Sequence, residues 1–550
     1  MKDWKKMMGM LLVGSIVLGT VGCGSAEPAA GSDSAGDASV SGKSTEDAAP
    51  SDSGAAGAGA SSADVSDTVG DLDDPDEIVV AFAGTGVVPK DVQMVEDAIN
   101  ELIRDKINVQ IDLQCFTIGD FSQQINLTLT SGEQVDLLST TPVGSSQFAT
   151  MSSQHQFMPL NELLDEFGQG IVATVGEEWL ESTTSEGNIY GVPSYSNKAQ
   201  DTFFCIRTDL MEKHNLQDKV QNIQSVDDIG EILEVLSTDD SIVAPIGGKQ
   251  QIFTGTFGVL YDTVDNVLAY DTLGAAALRV AGVEVDKDAQ KIVNLYESEE
   301  YAKQLALLKE WYDKGYIYKD SSTYAESGPD LIKNNVTGCC FSDSQLGVET
   351  SMSLATGYDM TCVKVIEGMV DANSMRKFVW GIPTVDREPE AAMRFLNLMY
   401  TDEELVNLLT WGIEGVHYEE KEDGTIGFLE GMTSESCGYY LGGLDFLFGN
   451  CYLAKVWEGN DPKLREKAKL EMDNHKMSPI VGFALDTSAL ENEITALTNA
   501  VSEYRYSLEC GMFDPVTELP VFLEKLEACG VQTYIDEAQR QLDAYLAEAN

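Results

Sequence analysis

The alternation of short strand patterns with helical patterns, which begins at residue 77, most constrains the fold of this chain. Residues 77–83 form a short apolar run that glycine and proline end, and residues 92–103 then carry apolar side chains at helical spacing. Residues 109–113 alternate apolar with polar side chains, as a half-buried strand does. This order opens an α/β unit, in which ligands bind at the carboxyl ends of the strands. Thr85, which follows the first strand, is therefore a candidate ligand contact.

The same alternation continues for more than 300 residues and then gives way to helix alone. Residues 135–139, 203–207 and 338–342 have strand patterns, whereas residues 159–165 have a helical one and residues 301–318 indicate an aromatic-rich helix with its exit loop. After about residue 487, apolar side chains recur every three or four positions up to residue 545. The sequence therefore predicts α/β lobes, followed by a C-terminal module that is largely helical at its end and packs on the lobes.

The amino terminus has the pattern of an export signal. Lys2, Lys5 and Lys6 precede an apolar run over residues 7–21, which is too short to span a bilayer. Gly22 and Cys23 then suggest a lipoprotein cleavage site with Cys23 as the lipidated residue, although Thr20 stands where leucine is favoured. Residues 24–76 are rich in Ala, Gly, Ser and Asp, and we expect them to form a disordered acidic linker.

Composition excludes several classes of function. The net charge of −56, without a basic patch, repels both the phosphates of nucleic acids and anionic lipid head groups. Nucleic-acid binding is therefore not expected, and contact with a membrane is expected only through the lipid anchor. Ten cysteines are scattered without a C-x-x-C pair, which favours small apolar core residues over a disulfide framework. The four histidines lack H-E-x-x-H spacing, and neither a G-x-S-x-G elbow nor a P-loop occurs. We therefore predict no metal, no cofactor and no catalytic residue.

A polar ligand such as a neutral sugar needs flat aromatic faces with amides or carboxylates beside them. Residues 411–415 are the sharpest candidate, because two glycines beside Trp411 and Glu414 indicate a bent loop. Apolar neighbours could equally bury Trp380 in a core, and ordinary packing equally explains Tyr439, Tyr440 and Trp457. The complete set of candidate ligand contacts is Thr85, Thr141, Tyr195, Asn197, Tyr261, Asp262, Gln345, Trp380, Trp411, Glu414 and Tyr418.

Several of these segments carry a family likeness. The lipoprotein start, Asp136-Leu-Leu, residues 159–164, residues 187–194 and residues 204–210 resemble extracellular solute-binding proteins of bacterial ABC importers, in the large group whose ligands are often oligosaccharides. Residues 411–418 resemble the W/Y-G-x-E-G-x-x-Y stretch of a lipoprotein branch with a C-terminal domain of unassigned function, which residues 483–543 also match.

This resemblance implies two α/β lobes, joined by a hinge, that close on a ligand. Residues 77–415 would be the two-lobed core, and residues 416–550 the C-terminal module. The implied function is to capture a small polar solute, an oligosaccharide above all, and deliver it unchanged to a permease driven by a cytoplasmic ATPase. The protein would be a monomer tethered to the outer face of the cell membrane.

Two alternatives remain open at this point. A peptide receptor of the same kind would show amides directed at a peptide backbone and a charged anchor for a terminus. A secreted glycosidase could use a carboxylate pair such as Asp262 and Glu414 to flank a glycosidic bond.

Overall fold

The computed structural model describes residues 74–84, 87–142, 144–185, 187–248, 254–255, 258–260, 267–273, 278–285, 290–323 and 327–548. The predicted leader with Cys23, nearly all of the predicted linker, and the candidates Thr85, Tyr261 and Asp262 lie outside the described residues.

Strands and helices alternate along most of the described chain. The strands are β1 Asp76–Gly84, β2 Val109–Thr117, β3 Leu137–Ser139, β4 Thr184–Ser185, β5 Asn188–Ile189, β6 Val192–Pro193, β7 Asp201–Arg207, β8 Ala244–Ile246, β9 Thr254–Gly255, β10 Gly258–Leu260, β11 Val267–Asp271, β12 Gly282–Glu284, β13 Ile292–Val293, β14 Thr337–Ser344, β15 Met360–Ile366, β16 Met369–Val370, β17 Val379–Gly381, β18 Glu419–Glu420, β19 Ile426–Gly427 and β20 Lys476–Met477. The α-helices are α1 Val92–Ile107, α2 Ile118–Ser131, α3 Phe148–Ser153, α4 Asn161–Phe167, α5 Gln169–Val175, α6 Glu177–Glu181, α7 Thr208–Lys213, α8 Gln217–Gln221, α9 Val226–Leu236, α10 Glu299–Asp313, α11 Gly328–Lys333, α12 Val348–Thr356, α13 Pro389–Thr401, α14 Glu403–Trp411, α15 Leu464–Met472, α16 Glu491–Glu509, α17 Pro515–Ala528 and α18 Val531–Glu548.

The first unit confirms the opening pattern of the sequence. Helix α1 buries Val95, Ile99 and Ile103 on one face, because side chains four residues apart share a face of a helix. Asn108 then adopts a left-handed backbone, with φ of 51°, and its N–H donates to the Arg104 carbonyl, which ends the helix directly before β2. The apolar spacing and the cap thus fix where the helix begins to pack and where the chain turns back.

Lobe 1 is built on a sheet of strand order β2-β1-β3-β17-β6. Strands β1, β2 and β3 are parallel, whereas β17 is antiparallel to both β3 and β6. The carboxyl ends of the three parallel strands, at Gly84, Thr117 and Ser139, therefore meet at one edge of the sheet. Helices α1, α4, α5, α13 and α14 contribute buried side chains to this lobe's core.

Lobe 2 is built on a sheet of order β15-β7-β14-β8. Strand β7 is antiparallel to both of its neighbours, and β8 is parallel to β14. A second, antiparallel sheet of order β13-β12-β11-β10-β9 packs on the same core through β12 and β13.

The chain beyond residue 415 is divided between the two cores. Residues Tyr439, Leu444 and Phe448 belong to the core of lobe 1, whereas α16, α17 and α18 bury their apolar faces in the core of lobe 2. A hydrogen bond from the Tyr301 hydroxyl on α10 to Glu509 Oε1 ties α16 to the lobe, and within α16 the same carboxylate oxygen lies 3.1 Å from Arg505 Nε. The predicted helical end of the chain is thus an integral part of lobe 2.

The chain passes between the lobes at segments that lie side by side. Residues 194–200 lead from β6 to β7, and residues 367–378 lead from lobe 2 to β17. Gly368 N donates to Asp201 Oδ1 at 2.7 Å, which joins the first two crossings. The chain passes between the lobes a third time at β20, which pairs in parallel with β16 of the second crossing.

A buried carboxyl group ties the second and third crossings together. Asp271 Oδ2 accepts the Ala372 N–H at 2.8 Å, and the Ser478 hydroxyl also bonds to this carboxyl group. Burial, followed by the charge of nearby Asp371, raises the pKa of Asp271. This contact reaches the crossings from β11, so the second sheet of lobe 2 supports the passage between the lobes.

Among the described residues, none of the helices has both the length and the apolar character needed to cross a bilayer.

We predict that Gly368→Ala destabilises the protein, because a methyl group at this position would overlap the carbonyl group of Gln200. Overpacking of this kind costs about 1–3 kcal/mol, which urea denaturation would measure as a lower free energy of unfolding. Gly119→Ala is the control, since the nearest atom to its new methyl group would be Thr117 Oγ1 at 3.9 Å. A Gly368 variant as stable as the Gly119 variant would contradict the close packing of the crossings.

Candidate functional site

The crossings make one edge of each sheet face the other lobe. Strand β17 is antiparallel to β3, so the second crossing enters lobe 1 at the carboxyl edge of its parallel strands, and the first crossing leaves from the same edge. In lobe 2 the first crossing arrives at Asp201, which pairs with Ser344 at the carboxyl end of β14. The loops after β1, β2 and β3 therefore face the loop after β14, and the space between them is the candidate ligand cleft.

The edge of lobe 1 presents a network of hydroxyl groups. Thr141 Oγ1 and Ser146 Oγ are 2.5 Å apart, and Ser122 Oγ lies 2.6 Å from the same Ser146 oxygen. Asn126 donates to Ser145 Oγ at 2.8 Å. The candidate Thr141 thus lies in the loop after β3, where its buried side chain helps to hold this loop in place.

Three candidates meet at the first crossing. Gln345 Nε2 donates to the Asn197 carbonyl oxygen at 3.0 Å, which joins the loop after β14 to the crossing. Tyr195 packs edge-to-face against Trp179, with ring centroids 4.9 Å apart, and against Tyr452 at 5.3 Å. These contacts brace the crossing with aromatic side chains of lobe 1.

A buried lysine occupies the same crossing. Lys198 Nζ donates to the Lys377 carbonyl at 3.3 Å and lies 5.5 Å from the ring centroid of Trp179. Burial lowers the pKa of Lys198 to about 7. The first and second crossings are thus joined by a polar contact whose positive charge is lost as the pH rises through about 7.

The second group of candidates lies in an aromatic cluster, which we define as Trp411, Tyr418, Phe428, Tyr440 and Trp457. Trp457 is central to it, with ring centroids 5.2 Å from Trp411, 4.7 Å from Phe428 and 5.9 Å from Tyr440. Tyr418 joins Trp411 and Trp457 in one buried group. Phe428 and Tyr440 are only partly buried, so their rings offer flat apolar faces on which the C–H surface of a sugar stacks.

The aromatic cluster lies beside the facing edges of both lobes. Toward lobe 1, Asp91 N in the loop after β1 donates to the Gly438 carbonyl at 3.0 Å. Toward lobe 2, Asn460 packs on Gly347, which follows β14 at the start of α12. The segment that carries the cluster therefore reaches from the rim of one lobe to the rim of the other.

One polar atom in the aromatic cluster has no protein partner. The indole Nε1 of Trp411 is buried and makes no hydrogen bond within the described residues, and the side chain is 8% exposed. A buried N–H without an acceptor is costly, so a ligand or water oxygen is its natural partner. The cluster thus offers a hydrogen-bond donor together with its aromatic faces.

The lysines beside the aromatic cluster are paired with carboxylates. Lys421 Nζ lies 2.9 Å from Glu419 and 3.5 Å from Glu458, and Lys455 Nζ lies 2.6 Å from Glu420. These pairs leave acidic side chains in excess around the rings. The electrostatics of this region therefore favour an uncharged ligand over an anionic one.

The turn after α14 has the bend that its glycines predict. Gly412 and Gly415 have φ of 80° and 76°, and a methyl group on Gly412 would meet the ring of His417. Glu414 is exposed on this turn. His417 Nδ1 accepts the Ile413 N–H at 2.9 Å, so the histidine fixes the turn that carries Trp411.

Trp380 lies in the core of lobe 1. Its side chain is fully buried, its Nε1 donates to the Leu447 carbonyl at 2.8 Å, and its ring lies against Phe448. Trp380 is not part of the proposed site, because protein atoms already cover its whole side chain.

The structure brings six of the other seven described candidates into two groups along the cleft, and Thr141 lies apart from both in the loop after β3. Tyr195, Asn197 and Gln345 lie at the first crossing, while Trp411, Glu414 and Tyr418 lie in or beside the aromatic cluster. Sequence reasoning gave no weight to Phe428, Trp179 or Tyr452, because no local pattern distinguishes them from core aromatics. It gave little weight to Trp457, whose neighbours in space are distant in sequence.

A metal site is not evident in the part of the chain that the structure describes. There, no group of three or more His, Cys, Asp and Glu side chains has an arrangement that could hold a metal ion.

Comparisons with known proteins agree with this geometry. The model of the family described as bacterial extracellular solute-binding protein matches residues 98–413, and a domain of unknown function matches residues 479–547. A carbohydrate ABC transporter substrate-binding protein of Streptococcus pneumoniae serotype 4 is 24% identical over 484 residues, which cover 86% of this chain and 92% of that protein.

Solved structures share the fold. The N-glycan transport solute-binding protein NgtS from Streptococcus pneumoniae has a TM-score of 0.73 at 22% identity, over 86% of this chain and all of that one. NgtS in complex with Man1GlcNAc gives a TM-score of 0.68 at the same identity, over 85% of this chain and 99% of that one. At this identity the likeness establishes the two-lobed α/β architecture.

We predict that His417→Asn reduces the loss of stability on mild acidification. Burial outweighs nearby Asp91 and lowers the pKa of His417 from 6.5, so the unfolded chain takes up this proton at a higher pH than the folded protein does. The stabilisation given by the neutral ring is complete above pH 6.5 and is lost as the pH falls through the folded pKa. The asparagine oxygen can still accept the Ile413 N–H but does not titrate.

Melting temperatures of the wild type and the variant between pH 7.5 and about pH 5.5 test this prediction. His155→Asn is the matched control, because His155 is exposed and its φ of 54° suits asparagine. The prediction fails if His417→Asn and the wild type lose the same number of degrees over this range.

Proposed function

This chain belongs to the bacterial extracellular solute-binding protein family, and from that premise we propose that it captures a neutral oligosaccharide between its lobes by hinge closure. It then releases the sugar unchanged to the permease of an ABC importer that a cytoplasmic ATPase drives. It acts as a monomer, held on the outer face of the cell membrane by lipid on Cys23.

The aromatic cluster is the observation that carries this proposal. Its rings lie where the two lobes face each other, and sugar binding requires aromatic faces flanked by polar groups. The N–H of Trp411, which has no partner within the described part of the chain, supplies a donor for a sugar oxygen. The carboxylate-paired lysines nearby favour a ligand without negative charge.

The crossings support a change in the angle between the lobes. Only a few short segments connect the two sheets, and hinge motions are absorbed by a few residues at the ends of elements. A ligand that touches both rims stabilises the closed form by its differential affinity for that form. The first ligands to test are mannose and N-acetylglucosamine oligosaccharides, because NgtS is a relative crystallised with Man1GlcNAc.

A panel of neutral oligosaccharides, oligouronates and peptides tests the class of ligand. We expect one or more neutral oligosaccharides to raise the melting temperature and to bind with one-to-one stoichiometry. Chromatography should recover the sugar intact. Stabilisation by peptides alone would favour the peptide receptor. Release of shorter sugars would favour the glycosidase.

We predict that Trp411→Ala weakens binding of the stabilising oligosaccharide by at least about 1 kcal/mol, which is about fivefold in Kd, because the N–H donor is lost together with the ring that packs on Trp457. Isothermal titration calorimetry on the folded variant measures this change. Trp380→Phe is the control, since its loss of core packing should lower stability and leave Kd unchanged. A Trp411 variant that is folded and has wild-type affinity would remove the aromatic cluster from the site.

We predict that Cys23→Ser releases the protein from the membrane into the medium, because lipid cannot be attached to serine in this position. Fractionation of cells that express the two forms measures the distribution. The soluble variant should bind the oligosaccharide with unchanged Kd, since Cys23 lies outside the solute-binding family match. Continued retention of the variant on membranes would contradict lipid anchoring at Cys23.

A further inference from the structure

Three cysteines form a row across the sheet of lobe 2. Cys205 on β7 lies directly opposite Cys340 on β14 and directly opposite Cys362 on β15. Residues opposite each other on antiparallel strands place their side chains on the same face of the sheet, with Cβ atoms about 4.5–5.5 Å apart. The three thiols therefore line up on one face, with Cys205 in the middle.

This row lies among apolar side chains, and its three cysteines differ in exposure. Cys205 and Cys340 are buried, whereas Cys362 is partly exposed. Hydrogen bonds with the Cys340 and Cys362 thiols, followed by burial, raise the pKa of Cys205 well above its ordinary value. This shift agrees with the register in placing both outer thiols in contact with the central one.

We propose that this row is an oxidation site, at which Cys205 forms a disulfide with either Cys362 or Cys340. Opposite residues on antiparallel strands have Cα atoms about 4.5 or 5.5 Å apart, which lies within the range that a disulfide spans. The two outer cysteines are two strand spacings apart, about 9–10 Å, and cannot bridge each other. Oxidation thus forms a single bond that always includes Cys205 and leaves one free thiol beside it.

A hydroperoxide is the class of oxidant that this arrangement suits. The sulfur of the partly exposed Cys362 thiol attacks the peroxide oxygen and the O–O bond breaks, and the departing hydroxide takes the Cys362 thiol proton to give a sulfenic acid and water. The Cys205 sulfur then attacks the Cys362 sulfur, the S–O bond breaks, and the leaving hydroxide takes the Cys205 proton as water. Two thiols and one hydrogen peroxide give one disulfide and two molecules of water.

The thiol of Cys340 allows the disulfide to move from the Cys205–Cys362 pair to the Cys205–Cys340 pair. Cys340 can attack the Cys205 sulfur, which forms the Cys205–Cys340 bond and returns Cys362 to the thiol. Proteins outside the cell are not kept reduced by the cytosolic thiol systems, so an extracellular family member meets conditions in which such a bond persists. The inference does not depend on the identity of the solute.

Controlled oxidation of the purified, reduced full chain tests the proposal. The protein is treated with hydrogen peroxide, alkylated in denaturant and digested, and the cross-linked peptides are identified by mass spectrometry. We expect a peptide pair that joins Cys205 to Cys362 or Cys340. Recovery of all three cysteines as alkylated thiols or as sulfenic and higher acids would overturn the proposal.

Single substitutions test the geometry. We expect Cys340→Ser to give only the Cys205–Cys362 bond, and Cys205→Ser to give neither, with Cys362 trapped as a sulfenic acid by dimedone. Cys339→Ser is the matched control, since its opposite neighbour is Ile206 on the other face, and it should oxidise as the wild type does. A bond between Cys340 and Cys362 in the Cys205 variant would contradict the row. If that variant does not fold, the wild-type peptides still decide the question.

Discussion

The close packing of the segments that pass between the lobes is the constraint on which the rest of the structure depends. Gly368 lies against Gln200 with room for no side chain, and Asp271 reaches from the second sheet of lobe 2 to hold the later crossings. These contacts decide which edge of each sheet faces the other. Because the parallel strands of lobe 1 end at that edge, their loops are directed at lobe 2 and not at solvent on the far side.

The candidate site follows from that arrangement. After Trp411 the chain turns at Gly412 and Gly415, and it returns to the lobe 1 core at residues 439–448 before it enters lobe 2 through β20. The five rings of the aromatic cluster lie along this path. His417 holds the turn by accepting a backbone N–H, so the position of Trp411 depends on a neutral imidazole. The C-terminal helices belong to lobe 2, because their apolar faces lie in its core and the Tyr301 hydroxyl donates to Glu509 on α16.

Local periodicity was enough to predict the elements, because it depends only on residues a few positions apart. The spacing of Val95, Ile99 and Ile103 gave α1, and the same rule gave the helices of the C-terminal module. Local periodicity cannot predict contacts between residues that are far apart in sequence. Trp457 and Phe428 join Trp411 in one cluster only through the fold, because they are distant from it in sequence. Trp380 has the same kind of sequence neighbours as a ligand-binding tryptophan, but it is buried because β17 lies inside a sheet.

Crystal structures of the mature protein with and without a stabilising oligosaccharide test the central claim most directly. We expect the sugar to stack in the aromatic cluster, with an oxygen near Trp411 Nε1, and the lobes to be closer together than in the free protein. A sugar bound outside the space between the lobes, or an unchanged angle between them, would contradict capture by hinge closure.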